Sequence, residues 1–237
     1  MSVIWHDLEC GSYAEDLPYW RSLAQRTGGP VLDAGAGTGR TTLELARAGY
    51  AITAIDRDVE LLHALRARAR DLDVTTVVGD VRSFAIDSRF ALCIAPMQTI
   101  QLLGGPLGRR RFLECARRHL RPGGILALAI ADELELFDIA DGAIGPTPDV
   151  GEIDGVVYSS RPTAVRAEGD GFVLERHRET VTTRGELSTE RDLIHLDRLA
   201  PSALEREASA VGLRPAGRDA IPPTADYVGS TVVVLHA

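Results

Sequence analysis

Three aspartates, each closing an apolar run, are the side chains best spaced to do chemistry together: Asp33 in VLDAGAGTGR, Asp56 in AITAIDRD and Asp80 in VVGDVRSF. A glycine turn follows the first, with Gly35, Gly37 and Gly39 in close succession. Absent side chains let a ligand approach such a backbone closely. An acid that ends the second strand of a doubly wound sheet commonly accepts from two neighbouring ribose hydroxyls, which is the position of Asp56. Asp80, after a third strand, aims a carboxylate at the edge of an adenine across the same crevice. A dinucleotide fingerprint places its third glycine one position later, where this chain has Arg40. The spacing therefore weakens an NAD reading while keeping a flat, nucleoside-bearing ligand.

These acids converge only if the segments around them form parallel strands. Short apolar runs near 31–33, 51–55, 74–78, 90–95 and 125–131 predict such strands, separated by helical periods near 39–48, 59–70 and 108–120. With closing strands near 214–220 and 230–235, the expectation is an α/β fold: a doubly wound, mostly parallel seven-stranded sheet of Rossmann-like type. After Asp132 the rhythm breaks into a Gly/Pro-rich stretch, DGAIGPTPDVGEIDG, then β-rich runs punctuated by Gly169-Asp170-Gly171 and Arg184-Gly185. An inserted antiparallel β meander is expected there. A last helix is expected over Pro201–Val211, with Ser202 and Glu205 at capping-box spacing and Gly212 at its end. An amphipathic stretch from Ser12 to Arg26 precedes the first strand. The domain organisation expected is an N-terminal helical lid over 1–28, a ligand-binding domain over 29–135 and 198–237, and the β subdomain over 150–197.

Composition narrows the classes. The 237 residues carry a net charge of −8, which argues against a nucleic-acid surface because phosphate neutralisation needs clustered cations. All 26 basic residues are arginine, a coding bias with little bearing on function. Cys10, Cys93 and Cys115 have neither disulfide-framework nor metal-ligand spacing. No signal peptide or spanning segment is evident, so a cytoplasmic location, no membrane partner and no metal are expected.

As an ordered set, VLDAGAGTGR, AITAIDRD, VVGDVRSF and LRPGGILALAI resemble the class I S-adenosylmethionine-dependent methyltransferases over roughly residues 28 to 131 and the last strands. The β insertion resembles that of the small-molecule branch, such as glycine and amino-sugar N-methyltransferases. The resemblance implies S-adenosyl-L-methionine as cofactor. Asp33 and the Gly35, Gly37 and Gly39 turn would face its methionine part, with Arg40 nearby; Asp56, followed by Arg57, would take the ribose; Asp80 and Val81 would flank the adenine. It also makes Tyr13 a candidate for the cofactor carboxylate, places Trp5 and His6 within reach of the pocket, and sets Pro96 beside the methyl group.

The acceptor side is less marked. Methyltransferases acting on nucleobase amines often carry Asn/Asp-Pro-Pro-aromatic after the fourth strand, and this chain has Ala95-Pro96-Met97-Gln98 instead, which argues against nucleobase methylation. Gln98 and Gln101 are the nearest polar candidates for substrate contact, with Tyr19, Arg161 and Arg176 (and Arg178) further off. Catalytic candidates are Gln98 and His177, with His195 weaker; His119 reads as a helix-end residue. A general base is required only where the nucleophile arrives protonated. The function expected is methyl transfer to a nitrogen or oxygen of a small-molecule acceptor, in a chain able to form a homodimer through its exposed meander. A non-catalytic S-adenosylmethionine sensor or partner subunit, and an NAD-dependent oxidoreductase, are the alternatives.

Overall fold

The computed structural model describes residues 3–131, 134–139, 145–224 and 227–237. Asp132 and the opening of the Gly/Pro-rich stretch, through residue 144, lie outside the described residues, as do the first two residues of the expected lid.

Seven strands make the main sheet: β1 (Val31–Ala34), β2 (Ile52–Asp56), β3 (Val74–Val78), β4 (Phe90–Ala95), β5 (Leu120–Ile130), β11 (Arg214–Ile221) and β12 (Ser230–His236). Their order is β11-β12-β5-β4-β1-β2-β3. The pairs from β3 through β5 are parallel, while β12 runs antiparallel to both β5 and β11. The strand order reverses between β1 and β4, so their carboxyl ends open the crevice in which ligands of open α/β sheets bind. Helices α3 (Arg40–Arg47), α4 (Val59–Arg68), α5 (Gly105–His119) and α6 (Pro201–Ala210) cover the two faces. Buried apolar residues such as Leu32, Ile55, Phe90 and Phe112 fill one side, and Trp20, Leu23, Leu45 and Val232 the other. Among the described residues no helix is long and apolar enough to cross a membrane.

Two helix boundaries differ from the sequence expectation for identifiable reasons. The N-terminal stretch is two helices, α1 (Val3–Cys10) and α2 (Leu17–Thr27), because Gly11 packs so closely on the Asp7 carbonyl that a side chain there would stand 2.4 Å from it, and Pro18 starts the second helix afresh. Helix α6 is not capped by Ser202: its N-cap is Ala200 with Pro201 in the first turn, and Glu205 instead binds Arg218 at 2.7 Å.

The second sheet, order β10-β9-β8-β6 with β7 also on β8, is antiparallel throughout. It comprises β6 (Phe137–Asp138), β7 (Asp149–Ile153), β8 (Val156–Glu168), β9 (Gly171–Val181) and β10 (Leu187–Asp197). Its hairpins turn at Gly169 and Gly185 as expected, and also at Asp154-Gly155, where both residues take positive φ (52° and 77°), the pair such a two-residue turn demands.

Helix α1 joins this sheet to the rest. Glu9 is buried and accepts from Arg178 Nε and a second guanidinium nitrogen at 2.7 and 2.8 Å and from Ser160 Oγ at 2.7 Å, with Arg176 at 3.3 Å. Burial alone would raise its pKa; the arginines and Ser160 outweigh that and hold the carboxyl below its usual range. The Arg178 guanidinium also lies over the Trp5 ring, whose edge meets Tyr158. The arginines of β9, expected as candidates for substrate contact, are instead buried and paired. Removing one partner of such a cluster leaves uncompensated charge. Glu9→Ala is expected to cost about 3 kcal/mol, roughly 6–12 °C in Tm, with faster amide exchange across α1; Glu9→Gln, which keeps an acceptor for Ser160 and Arg178, should cost less. Thermal denaturation and hydrogen exchange of the three proteins check this.

Candidate functional site

At the carboxyl end of β1 the chain turns through Gly35, Gly37 and Gly39, all left-handed (φ 79°, 55° and 96°). Each glycine is required by a different neighbour. A Cβ on Gly35 would stand 2.5 Å from Thr99 of the short 3-10 helix Thr99–Leu102, and one on Gly37 would stand 2.2 Å from His6 Nε2. On Gly39 it would strike Leu65 of α4 at 2.2 Å. Gly39 therefore serves helix packing, while Gly35 and Gly37 lie against the 3-10 helix and α1.

Asp33 is fully enclosed beneath this turn. Its Oδ2 accepts from Thr42 Oγ1 at 2.7 Å, and Oδ1 has no hydrogen-bond partner. Burial pushes its carboxyl up to about 6, the Thr42 bond and Arg40 only partly opposing. Asp56 at the end of β2 accepts from the Gly37 amide and from the Asp58 amide, both at 2.9 Å, one on each oxygen. That leaves a lone pair on each oxygen for a diol. Arg57 beside it is exposed. Asp80 is half-exposed and turned onto its own chain, taking the Arg82 amide at 2.8 Å and its guanidinium at 2.6 Å, which lowers its pKa. Val81 and Pro96 are buried alongside.

Arg40 was expected beside a ligand or in solvent. Instead its guanidinium binds Asp16 through both terminal nitrogens and reaches the Tyr13 carbonyl at 2.8 Å, while Asp16 also accepts from Trp20 Nε1 at 2.8 Å. It ties α3 to α2. Tyr13 is held under this pair, its ring 4.9 Å from that of Tyr227 and 5.1 Å from the Arg40 guanidinium. Its buried hydroxyl has no partner, and burial pushes its pKa up to about 12. Tyr19 faces the other way, donating to Asp219 of β11 at 2.9 Å.

On the acceptor side the candidates separate. Gln101 is 1% exposed and spends its whole amide on the scaffold: Nε2 donates to the Ala131 and Asp197 carbonyls, and Oε1 accepts from the Ala131 amide. It staples the exit of β10 to the end of β5 and has nothing left for a substrate. Gln98 is half-buried and makes no side-chain cap to the turn that follows it. Just before it, Met97 adopts φ 53°, strained for a residue with a side chain. Arg176 bonds Ser160 and Asp149, both at 2.8 Å or less, within the protein. Arg161 and His177 are cross-strand neighbours on the face of the second sheet opposite Ser160 and Arg178, hence turned away from α1; His177 Nε2 is 3.4 Å from Glu179. The structure does not bring them to the turn. His195 is exposed, and His119 is buried, its Nε2 accepting from the Ile86 amide.

The resemblance set His6 within reach of the pocket, but sequence patterns missed the cluster it forms over the turn with Thr38, Asp7 and Arg68, linked at 2.7 to 3.1 Å. A threonine inside the glycine turn was its one local signal. Among the described residues no group of three or more metal-ligating side chains occurs, and Cys10, Cys93 and Cys115 are free thiols.

Residues 31–124 match the methyltransferase-domain family. The chain is 36% identical over 115 residues to the cypemycin N-terminal methyltransferase of a Streptomyces species, a match spanning 48% of this chain and 46% of that protein. It therefore covers about half the length of that curated relative. Among solved structures it is similar to an S-adenosylmethionine-bound amino pentose methyltransferase from Micromonospora echinaspora, with TM-score 0.73 and 17% identity over 100% of this chain and 97% of that one. A glycopeptide N-methyltransferase complexed with S-adenosylhomocysteine gives TM-score 0.60 and 24% identity, covering 94% and 88%. The seven-stranded fold is thus that of these methyltransferases.

The buried, half-satisfied Asp33 has a measurable signature. An acid whose folded pKa is raised destabilises the fold increasingly as pH climbs from its unfolded value near 4 to about 6, and fully above that. Asp33→Asn keeps an acceptor for Thr42 without the charge. It should raise the ligand-free Tm at pH 8 by several degrees, of order 1–2 kcal/mol, with the gain vanishing by pH 4; a pH series of melting curves checks it.

Proposed function

We propose that this chain, which carries a methyltransferase domain over residues 31–124, transfers the methyl group of S-adenosylmethionine to an amine nitrogen of a small acceptor. The observation that carries the proposal is the glycine turn at the switch point, with Asp56 bonded to the Gly37 amide and one lone pair free on each oxygen. Two unpartnered buried groups, Asp33 Oδ1 and the Tyr13 hydroxyl, support a polar ligand beside that turn. The ligand supplies an electrophilic methyl on a sulfonium. The residues in the expected roles are Asp56 for the ribose, Gly35 and Gly37 for close backbone approach, and Tyr13 for the carboxylate. The amine-directed activities named for the relatives favour nitrogen over oxygen.

Transfer is an in-line displacement, so the protein's work is to position the acceptor and exclude water. Nothing ionisable stands at Pro96 to Thr99, where the acceptor would approach, and Gln98 is the polar group open there. Its amide suits an incoming neutral amine, which must lose its proton before it enters. Free thiols at all three cysteines accord with a reducing, cytoplasmic setting.

Isothermal titration should show S-adenosylmethionine and S-adenosylhomocysteine binding and no NAD binding, with Asp56→Asn weakening both at least tenfold. S-adenosylhomocysteine formation should then appear across a panel of amino sugars and peptide N-termini, at a rate rising with pH toward the acceptor's own pKa. Binding without turnover on any amine would favour a sensor role instead.

We infer further that the partner of this chain is a second copy, paired through β10. That strand is an uncovered edge of 11 residues with Leu187 and Leu193 exposed (61% and 52%) on one face. Both lie three residues from Glu190. Antiparallel pairing about a dyad at Glu190 sets Leu187 against the partner's Leu193 twice over, and Thr189 against the partner's Arg191. Glu190 meets its own copy there, each 3.5 Å from a charged nitrogen of its own Arg178. Light scattering should report a dimer that Leu193→Glu converts to a monomer of unchanged secondary structure; a monomeric wild type overturns it.

A further inference from the structure

Helix α1 lays His6 directly on the glycine turn, its Nε2 in contact with Gly37. The proton on that ring can be located from its neighbours. Thr38 Oγ1 lies 2.7 Å from Asp7 Oδ1 and 3.1 Å from His6 Nδ1. Asp7 is also gripped by Arg68 at 2.9 Å, which together with Thr38 holds its carboxyl below the usual range in spite of burial. A carboxylate only accepts, so the single Thr38 proton goes to Asp7, and the Thr38 oxygen must accept from His6. Nδ1 therefore carries the ring proton. Burial also lowers the His6 pKa, against the opposing charges of Asp7, Asp56 and Glu9, so the ring is neutral at pH 7. Nε2 is left as a bare acceptor over Gly37, with no hydrogen-bond partner among the described residues.

We infer that His6 Nε2 accepts a hydrogen bond from a ribose hydroxyl of the S-adenosyl ligand, sharing the diol with Asp56. The inference rests on the proposed methyl donor. Asp56 binds the amide of the same Gly37 that His6 covers, so the two acceptors flank one residue of the turn. A diol has two protons to donate, and a carboxylate together with a neutral imidazole matches that count without adding charge. His6 contacts Gly37, whereas the 3-10 helix that follows β4 meets the turn at Gly35 through Thr99. The pairing also gives α1 a function, since Glu9 on the same helix is anchored in the second sheet.

The test is calorimetric, with S-adenosylhomocysteine and its 2′-deoxy and 3′-deoxy analogues titrated into wild type, His6→Ala and His6→Gln. His6→Ala should weaken S-adenosylhomocysteine about tenfold. His6→Gln, whose amide oxygen reaches the place of Nε2, should recover most of that. For one of the two deoxy analogues the alanine penalty should fall below threefold, because the lost partner is already missing. Equal penalties on all three ligands would reduce His6 to packing and overturn the inference, as would no penalty at all. A wild type that binds none of the three overturns the methyl-donor reading instead and takes this inference with it; melting curves without ligand show that each variant is folded.

Discussion

Glu9 is one buried carboxylate on an eight-residue helix, and the seating of that helix between the two sheets depends on it. A helix that short has no stability of its own in water. What orders α1 is tertiary: Arg178, Arg176 and Ser160 grip it from the second sheet, while Asp7 binds Arg68 of α4 and Thr38 of the glycine turn. The helix thus touches both the strand that carries the arginines and the loop that carries the site. Three charged groups out of water must be mutually satisfied or the cost is several kcal/mol. That requirement makes the arrangement specific, because no shift of α1 by one residue would leave Glu9 facing the arginines and Asp7 facing Arg68.

The main sheet, by contrast, is held by ordinary apolar burial, and its unsatisfied groups among the described residues lie toward one edge. Asp33 Oδ1 and the Tyr13 hydroxyl lack partners, and Met97 is held in a left-handed conformation. Each costs stability on the scale of a kcal/mol or more. They gather at the carboxyl ends of β1 and β4 and the helix beside them, where the strand order reverses. Folding alone would select against them there, and the surrounding core of Leu32, Ile94, Phe112 and Trp20 supplies the excess that maintains them.

The scaffold was legible because its signals are local. Apolar runs ending in Asp33, Asp56 and Asp80 marked β1 to β3 within a residue, and Gly169 and Gly185 marked hairpins. Within the candidate site, sequence marked a residue's place where that place follows from its own strand, as with Asp56 at the end of β2. Roles that depend on distant partners were not so marked: Arg40 answers to Asp16, Gln101 to Ala131 and Asp197, Arg178 to Glu9, separations of 24 to 169 residues that no periodicity encodes. The second sheet illustrates the same limit. Alternation along FVLERHRETV puts Arg176 and Arg178 on one face and Glu175 and His177 on the other, but it does not say which face is covered, since α1 has no pattern strong enough to announce itself.

That limit bears on acceptor choice. Arginines on a strand over a ligand crevice would suggest an acidic acceptor, and here they are consumed internally by Glu9, Asp149 and Asp192. What remains open beside β4 is an uncharged amide, Gln98, behind a buried proline and a strained methionine. Such a surface offers a cation no counter-charge and an anion no donor cluster, so it discriminates by shape and by one hydrogen bond. The neutral amine proposed as acceptor fits those terms.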